Sequence, residues 1–199
     1  EWIENTFQDF VDGTFGDGGA NTYVSAQGKI QTVNRWDIND DGYIDLFFVN
    51  SHPLIEMLDM SIYWGNSQDF SIRNHTYVPV NGPMWVTPAD LNKDGEQDLV
   101  VANFSNGTWT GMDSAIYWGV RKADGTYALD SRTHLPSQNC QKAVVADLNA
   151  DGRDDIVMAF SGGFWEYRDP DQEGAPSRIY WQRQRGFARD DFTDLNTLG

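Results

Sequence analysis

The sequence predicts an all-β chain built from three repeats of four short antiparallel strands. Three observations carry that expectation. A nine-residue acidic pattern, D-x-N-x-D-G-x-x-D, occurs at 37–45, 90–98 and 147–155. Each copy runs straight into a short apolar stretch, and each is followed further on by an Ile-Tyr-Trp triplet, at 62–64, 116–118 and 179–181. The apolar runs are rich in β-branched and aromatic residues, too short for helices, and bounded by turn residues, so they read as buried strands.

The elements follow in order. Residues 1–28 differ from the rest: "TFQDFVDG" reads as a strand, and "GTFGDGGANTYVS" as a glycine-rich joining segment. That segment holds GxGG but no Lys-Ser/Thr, so it is a turn rather than a phosphate cradle. It is placed to lend an outer strand to a neighbouring repeat. The first repeat, 29–83, has strands at "KIQTVNRW" (29–36), "LFFVN" (46–50) and "SIYWG" (61–65), with a fourth near Phe70. The second, 84–141, has "MWVTPA" (84–89), "LVVANF" (99–104) and "AIYWG" (115–119), with a fourth near Tyr127. Pro88 weakens its first strand, because proline cannot donate to a ladder. The third, 142–199, has "KAVVA" (142–146), "IVMAF" (156–160) and "RIYWQ" (178–182), with a fourth near Phe187. In every repeat the acidic loop joins the first strand to the second.

The acidic loops carry the chemistry. Four aspartates and an asparagine fall within nine residues of the first copy, with nothing basic among them. Such like charges repel unless the turn is fully solvated or holds a cation. The three copies start 53 and 57 residues apart, at Asp37, Asp90 and Asp147. That spacing is close to the period of propeller-type repeats. The fourth position is Asp40, Lys93 or Ala150, so its side chain is dispensable. The seventh is Tyr43, Glu96 or Arg153, which share nothing but a backbone carbonyl.

Side-chain oxygens at positions one, three, five and nine, with the carbonyl at seven, make an all-oxygen shell for a hard cation. The glycine at six permits the sharp turn. The sets are Asp37, Asn39, Asp41, Tyr43 and Asp45; Asp90, Asn92, Asp94, Glu96 and Asp98; and Asp147, Asn149, Asp151, Arg153 and Asp155. Three carboxylates per loop suit Ca²⁺ better than Mg²⁺, which keeps more water and demands tighter octahedral geometry. The loops hold no Cys or His, so zinc and copper are poor candidates. The helix–loop–helix calcium motif needs a Glu at position twelve, where this chain has Phe48, Val101 or Met158. The expected cofactor is therefore three structural Ca²⁺ ions.

Four strands per repeat, with D-x-N-x-D-G-x-x-D and an aliphatic residue between the first and second, resemble the FG-GAP/VCBS repeats. These build calcium-binding β-propellers such as the integrin α-subunit head. The resemblance covers about 170 residues, 29 to 199, as three blades. It implies the cation sites and the blade architecture. The literal FG and GAP signatures are absent, so no integrin-like ligand is carried over. Propellers typically need four to eight blades. Three blades imply a partial propeller, or one completed by further copies of itself or further blades of a parent chain.

Composition narrows the function classes. The net charge is −16, which three divalent ions would reduce to −10. Such a chain repels nucleic acid and anionic membrane. No apolar run approaches the ~20 residues of a transmembrane helix. The single cysteine, Cys140, excludes an internal disulfide framework. His52, His75 and His134 share no ligand spacing, and neither G-x-S-x-G nor H-E-x-x-H occurs, so no enzymatic activity is expected. Trp64, Trp118 and Trp181 recur at one repeat position, which points to core packing rather than a sugar platform. Sequons place N-glycosylation acceptors at Asn74, Asn103 and Asn106.

The loops between second and third strands differ in length and carry Trp109, Trp165 and Tyr167. Variable loops on a rigid scaffold are where recognition tends to reside, which makes these three the candidate ligand-binding residues. The leading expectation is an extracellular or cell-surface calcium-binding module for adhesion or for protein or glycan recognition. The alternative is a structural subunit of a surface assembly, ring or filament, built by blade-to-blade contacts. A propeller domain of a glycan-degrading enzyme ranks third.

Overall fold

The computed structural model describes residues 22–24, 30–49, 59–67, 70–71, 73–104, 112–161 and 176–197. Among them there is no helix; the thirteen strands form antiparallel sheets of five, four and four strands. The first sheet runs β1 (Thr22–Val24), β2 (Ile30–Trp36), β3 (Asp45–Phe48), β4 (Met60–Tyr63) and β5 (His75–Val78). The second runs β6 (Pro83–Ala89), β7 (Asp98–Asn103), β8 (Ser114–Arg121) and β9 (Tyr127–Leu135). The third runs β10 (Cys140–Ala146), β11 (Asp155–Phe160), β12 (Arg178–Tyr180) and β13 (Phe192–Asp194). Each sheet is a meander in chain order, the form of a propeller-type blade. The described residues divide into two compact units, one up to residue 79 and one from residue 80.

Register repeats from blade to blade. Leu46 faces Tyr63, Leu99 faces Tyr117 and Ile156 faces Tyr180. One residue on, Phe47 faces Ile62, Val100 faces Ile116 and Val157 faces Ile179. Because side chains alternate across a strand, every blade has an Ile face and a Tyr face. In the second unit the Ile face of blade two meets the Tyr face of blade three. Leu91, Val100, Ala102 and Ile116 form one core with Ala143, Ile156, Met158 and Tyr180. Polar contacts close the same junction: Thr87 donates to the Ala143 carbonyl (2.7 Å), and Gln182 Nε2 to the Leu91 carbonyl (2.7 Å).

Several expectations are refined. Pro88 lies inside β6, opposite Leu99. It is tolerated because β6 is an edge strand of its sheet, hydrogen-bonded only to β7. The fourth strands of blades one and three fall later than Phe70 and Phe187. A turn closed by Asn74 N donating to Ser71 O precedes β5, and a tight Arg183–Gly186 turn lies before β13. Phe70 and Phe187 pack instead against apolar clusters. β1, from the leading segment, joins the first sheet as an edge strand beside β2, and the strand expected at "TFQDFVDG" lies outside the described residues.

The recurrent tryptophans are half-buried rather than central. Each indole N–H donates to a threonine hydroxyl on the fourth strand, at 2.9 Å in all three blades: Trp64 to Thr76, Trp118 to Thr133, Trp181 to Thr193. Ile62, Ile116 and, in blade three, Tyr180 have no exposed surface, and Tyr117 is also buried.

Candidate metal-binding loops

The three acidic loops fold alike because their aspartates bind their own backbone. In the first, Asp37 accepts from the amides of Asp41 (Oδ1, 3.1 Å) and Gly42 (Oδ2, 2.9 Å). Asn39 Oδ1 accepts from the same Asp41 amide (3.2 Å), and Asp41 Oδ1 accepts from Tyr43 N (2.9 Å). The second loop repeats this with Asp90, Asn92, Asp94, Gly95 and Glu96 at 2.8–3.0 Å. The third repeats it with Asp147, Asn149, Asp151, Gly152 and Arg153 at 2.9–3.1 Å. One amide thus draws the position-one and position-three oxygens together in every copy.

Two backbone positions bend the loop. The glycines at position six have φ of 89°, 93° and 83°, as the pattern required. A side chain would meet nothing within 4 Å there, so the glycine serves conformation and not space. Sequence reasoning missed the second bend. Asp40, Lys93 and Ala150 at position four are also left-handed, with φ of 54°, 60° and 59°. Their varied side chains gave no signal of it.

The position-nine aspartates sit differently from the rest of the loop. Asp45, Asp98 and Asp155 are completely buried. Each carboxylate clasps two amides from separate segments. Oδ2 accepts from position two of its own loop: Ile38 (2.8 Å), Leu91 (2.9 Å) and Leu148 (3.2 Å). Oδ1 accepts from the residue after the recurrent tryptophan: Gly65 (2.9 Å), Gly119 (2.9 Å) and Gln182 (3.0 Å). Position nine therefore fastens the loop to the third strand. Burial pushes the Asp45 and Asp98 carboxyls up to about 6, against the opposing pull of these amide bonds.

The fastening explains two glycines. A Cβ on Gly65 would press into the Ile44 carbonyl, and one on Gly119 into the Gln97 carbonyl and the Tyr127 ring. In blade two that crowding coincides with a register shift between Trp118 and Gly119, which aims the Gly119 amide at Asp98.

The donor set fits a hard divalent cation in chemistry: oxygen only, at positions one, three and five on the loop's exposed side, with the carbonyls of Tyr43, Glu96 and Arg153 available at seven. The side chains at seven differ: that of Glu96 leaves the loop, whereas that of Arg153 turns back onto Asp151 of its own donor set. Glu96 pairs with Arg121 (2.8 Å), and Arg153 reaches Asp151 (3.3 Å). Among the described residues no three His, Cys, Asp or Glu side chains converge as a ready-made metal cluster. Asn39, Asn92 and Asn149 supply an amide oxygen within the set, and the position-nine carboxylates retain one lone pair per oxygen beside their amide bonds.

The remaining candidates fall as follows. Asn74 is exposed. Asn103 is buried with Nδ2 donating to the Asp113 carbonyl (2.7 Å), so the structure offers no room for a glycan there. Asn106, Trp109, Trp165 and Tyr167 lie outside the described residues, as does His52. Cys140 is fully buried, and burial pushes its thiol up to about 12, which makes it an inert core residue.

Residues 37–101, from the start of the first loop to the strand after the second, match the FG-GAP-like repeat family. The all-β meander sheets are consistent with propeller-type blades of such a repeat. No curated protein and no solved structure was found to match the chain. No helix among the described residues is long and apolar enough to cross a membrane.

Proposed function

We propose that the chain is a calcium-binding repeat module, one structural Ca²⁺ held by each acidic loop, and that it works by binding rather than catalysis. The observation that carries this reading is the recurrence of one loop conformation. The same amide bonds and the same two left-handed positions occur in all three copies, although positions four and seven differ in charge and size. Asp37, Asn39 and Asp41, with their counterparts Asp90, Asn92 and Asp94, and Asp147, Asn149 and Asp151, would hold the ion. The carbonyls of Tyr43, Glu96 and Arg153 and the carboxylates of Asp45, Asp98 and Asp155 would complete the donor set. When bound, the ion supplies positive charge that cancels repulsion among the carboxylates and ties the two strands flanking each loop.

Millimolar calcium outside cells would keep such sites filled, so an extracellular or cell-surface setting suits them. There the module would serve adhesion or protein or glycan recognition through its variable loops. A ligand that binds only the folded state stabilises it. Melting the chain in calcium and again in EGTA should show a clear fall in melting temperature on chelation. Identical curves would reject calcium as a structural ligand.

A further inference from the structure

We propose that Arg153 is a built-in counter-ion of the third acidic loop, which an incoming cation must displace, so that this loop takes Ca²⁺ more weakly than the other two and fills last. Given the calcium reading, on which this rests, Asp151 at position five is a donor. Both of its oxygens are engaged by Arg153: Oδ1 accepts from the Arg153 amide (3.0 Å) and Oδ2 from the guanidinium Nη2 (3.3 Å). In the other two loops the same Oδ2 accepts from a neutral carboxamide, Asn39 Nδ2 on Asp41 (3.0 Å) and Asn92 Nδ2 on Asp94 (2.8 Å). The third loop thus has a cation where the others have an uncharged group.

Position seven makes the difference. Tyr43 carries no charge there at neutral pH. Glu96 carries a carboxylate, and its two oxygens accept from Arg121 Nε (3.0 Å) and Nη2 (2.8 Å), which holds that guanidinium on β8. Arg153 turns its charge back onto its own loop. Its hold is light enough to be given up. The pair is a single contact with 39% of the arginine side chain and 30% of the aspartate side chain exposed, and such pairs contribute little. The Arg153 Nε–H is buried with no partner among the described residues, an unfavourable feature of this posture. Swinging the guanidinium out to water relieves that N–H and frees Asp151 Oδ2 for the ion.

Two further cations stand at the third loop. Lys93, reaching across from the second loop, forms an ion pair with Asp154 at position eight. Arg183 is held above the usual guanidinium range, by its bond to Asp191 first and then by the fields of Asp191, Asp151 and Asp155. A divalent ion entering this loop therefore meets positive charge, whereas the nine residues of the first loop include no basic side chain. Repulsion grows as separation falls, so Arg153, seated on a donor carboxylate, outweighs the other two. The third site is set to respond at calcium concentrations that already fill the first and second.

Calorimetric calcium titration of full chains that each keep one loop intact tests this. Asp41→Ala with Asp94→Ala leaves the third loop, Asp41→Ala with Asp151→Ala the second, and Asp94→Ala with Asp151→Ala the first. The third loop should bind most weakly. Adding Arg153→Gln, which keeps the carbonyl at position seven, should tighten it about three- to tenfold at low salt, the scale of one exposed charge acting on a divalent ion. The gain should shrink as added salt screens that charge. Arg153→Lys keeps the charge and should give no gain, whereas an arginine with a merely structural role would show no such split between the two variants. A third loop that binds as tightly as the others, or one that Arg153→Gln leaves unchanged, would overturn the proposal and leave the calcium reading standing. No binding by any of the three loops would reject that reading, and the proposal with it.

Discussion

Asp98→Ala is expected to destabilise the second unit by about 1–4 kcal/mol even without calcium: the Gly119 amide loses this acceptor, at about 1–3 kcal/mol, and the Leu91 amide, which also donates to the Ala89 carbonyl at 3.1 Å, loses the shorter of its two bonds. The Leu91 and Gly119 N–H groups both point at this carboxylate, in a place closed to water. Relief from burying the carboxylate offsets part of the loss, since its raised pKa marks that burial as unfavourable. At about 2–4 °C per kcal/mol for a chain of this size, the shift in melting temperature is large. Asp98→Asn should recover little. Its carbonyl oxygen can serve one amide, but its NH₂ then confronts the other. The control is Asp94→Ala, on the exposed side of the same loop, where water can take over the freed amides. Under EGTA the Asp94 variant should melt near the wild type and the Asp98 variant well below it. Equal losses would show that position nine has no fastening role of its own.

Gly119→Ala is the second large effect. The added methyl would be driven into the Gln97 carbonyl, which already accepts from the Tyr127 hydroxyl at 2.6 Å. Relief requires moving either β8 or the Tyr127 ring, and both break the geometry that aims Gly119 N at Asp98. Overpacking of this kind costs about 1–3 kcal/mol, and the weakened Asp98 clasp adds to it. Gln182→Ala, at the same repeat position of blade three, should cost less. The chain there already carries a side chain, and the change removes one bond, to the Leu91 carbonyl. Chemical denaturation of the two variants side by side reads the difference. A Gly119 variant as stable as the wild type would mean that the third strand is held some other way.

Much of this was legible in the sequence, for a physical reason: repetition. One acidic turn is ambiguous, but three in register with Ile-Tyr-Trp mark the loop, the strands on either side of it and the third strand of each blade. The fourth strands of blades one and three were harder, because β5 and β13 are short and expose much of their length, so they do not stand out from turns. The tryptophans were read as core, and Trp118 does pack against it, but their polar end was missed. A large aromatic at a fixed repeat position looks like core, yet its N–H needs a partner, and that partner was Thr76, Thr133 or Thr193, too common a residue to notice. Position nine was read as a ligand because an aspartate in an acidic loop looks like one. That it also reaches two amides, one of them twenty or more residues away, depends on tertiary folding that no local pattern encodes. The contrast between Leu91, 1% exposed, and Leu148, 46% exposed, was equally hidden. Leu148 and Leu91 are the same residue type in the same motif, and only packing tells them apart.

Calcium titration into the metal-free chain, followed by isothermal calorimetry, examines the loops most directly. Three sites per chain are expected. Asp41→Ala, Asp94→Ala and Asp151→Ala should each remove one, and the triple variant should remove them all while keeping the β-sheet circular dichroism spectrum. No binding at millimolar calcium would refute the assignment of these loops as cation sites, and so would binding that survives the triple substitution.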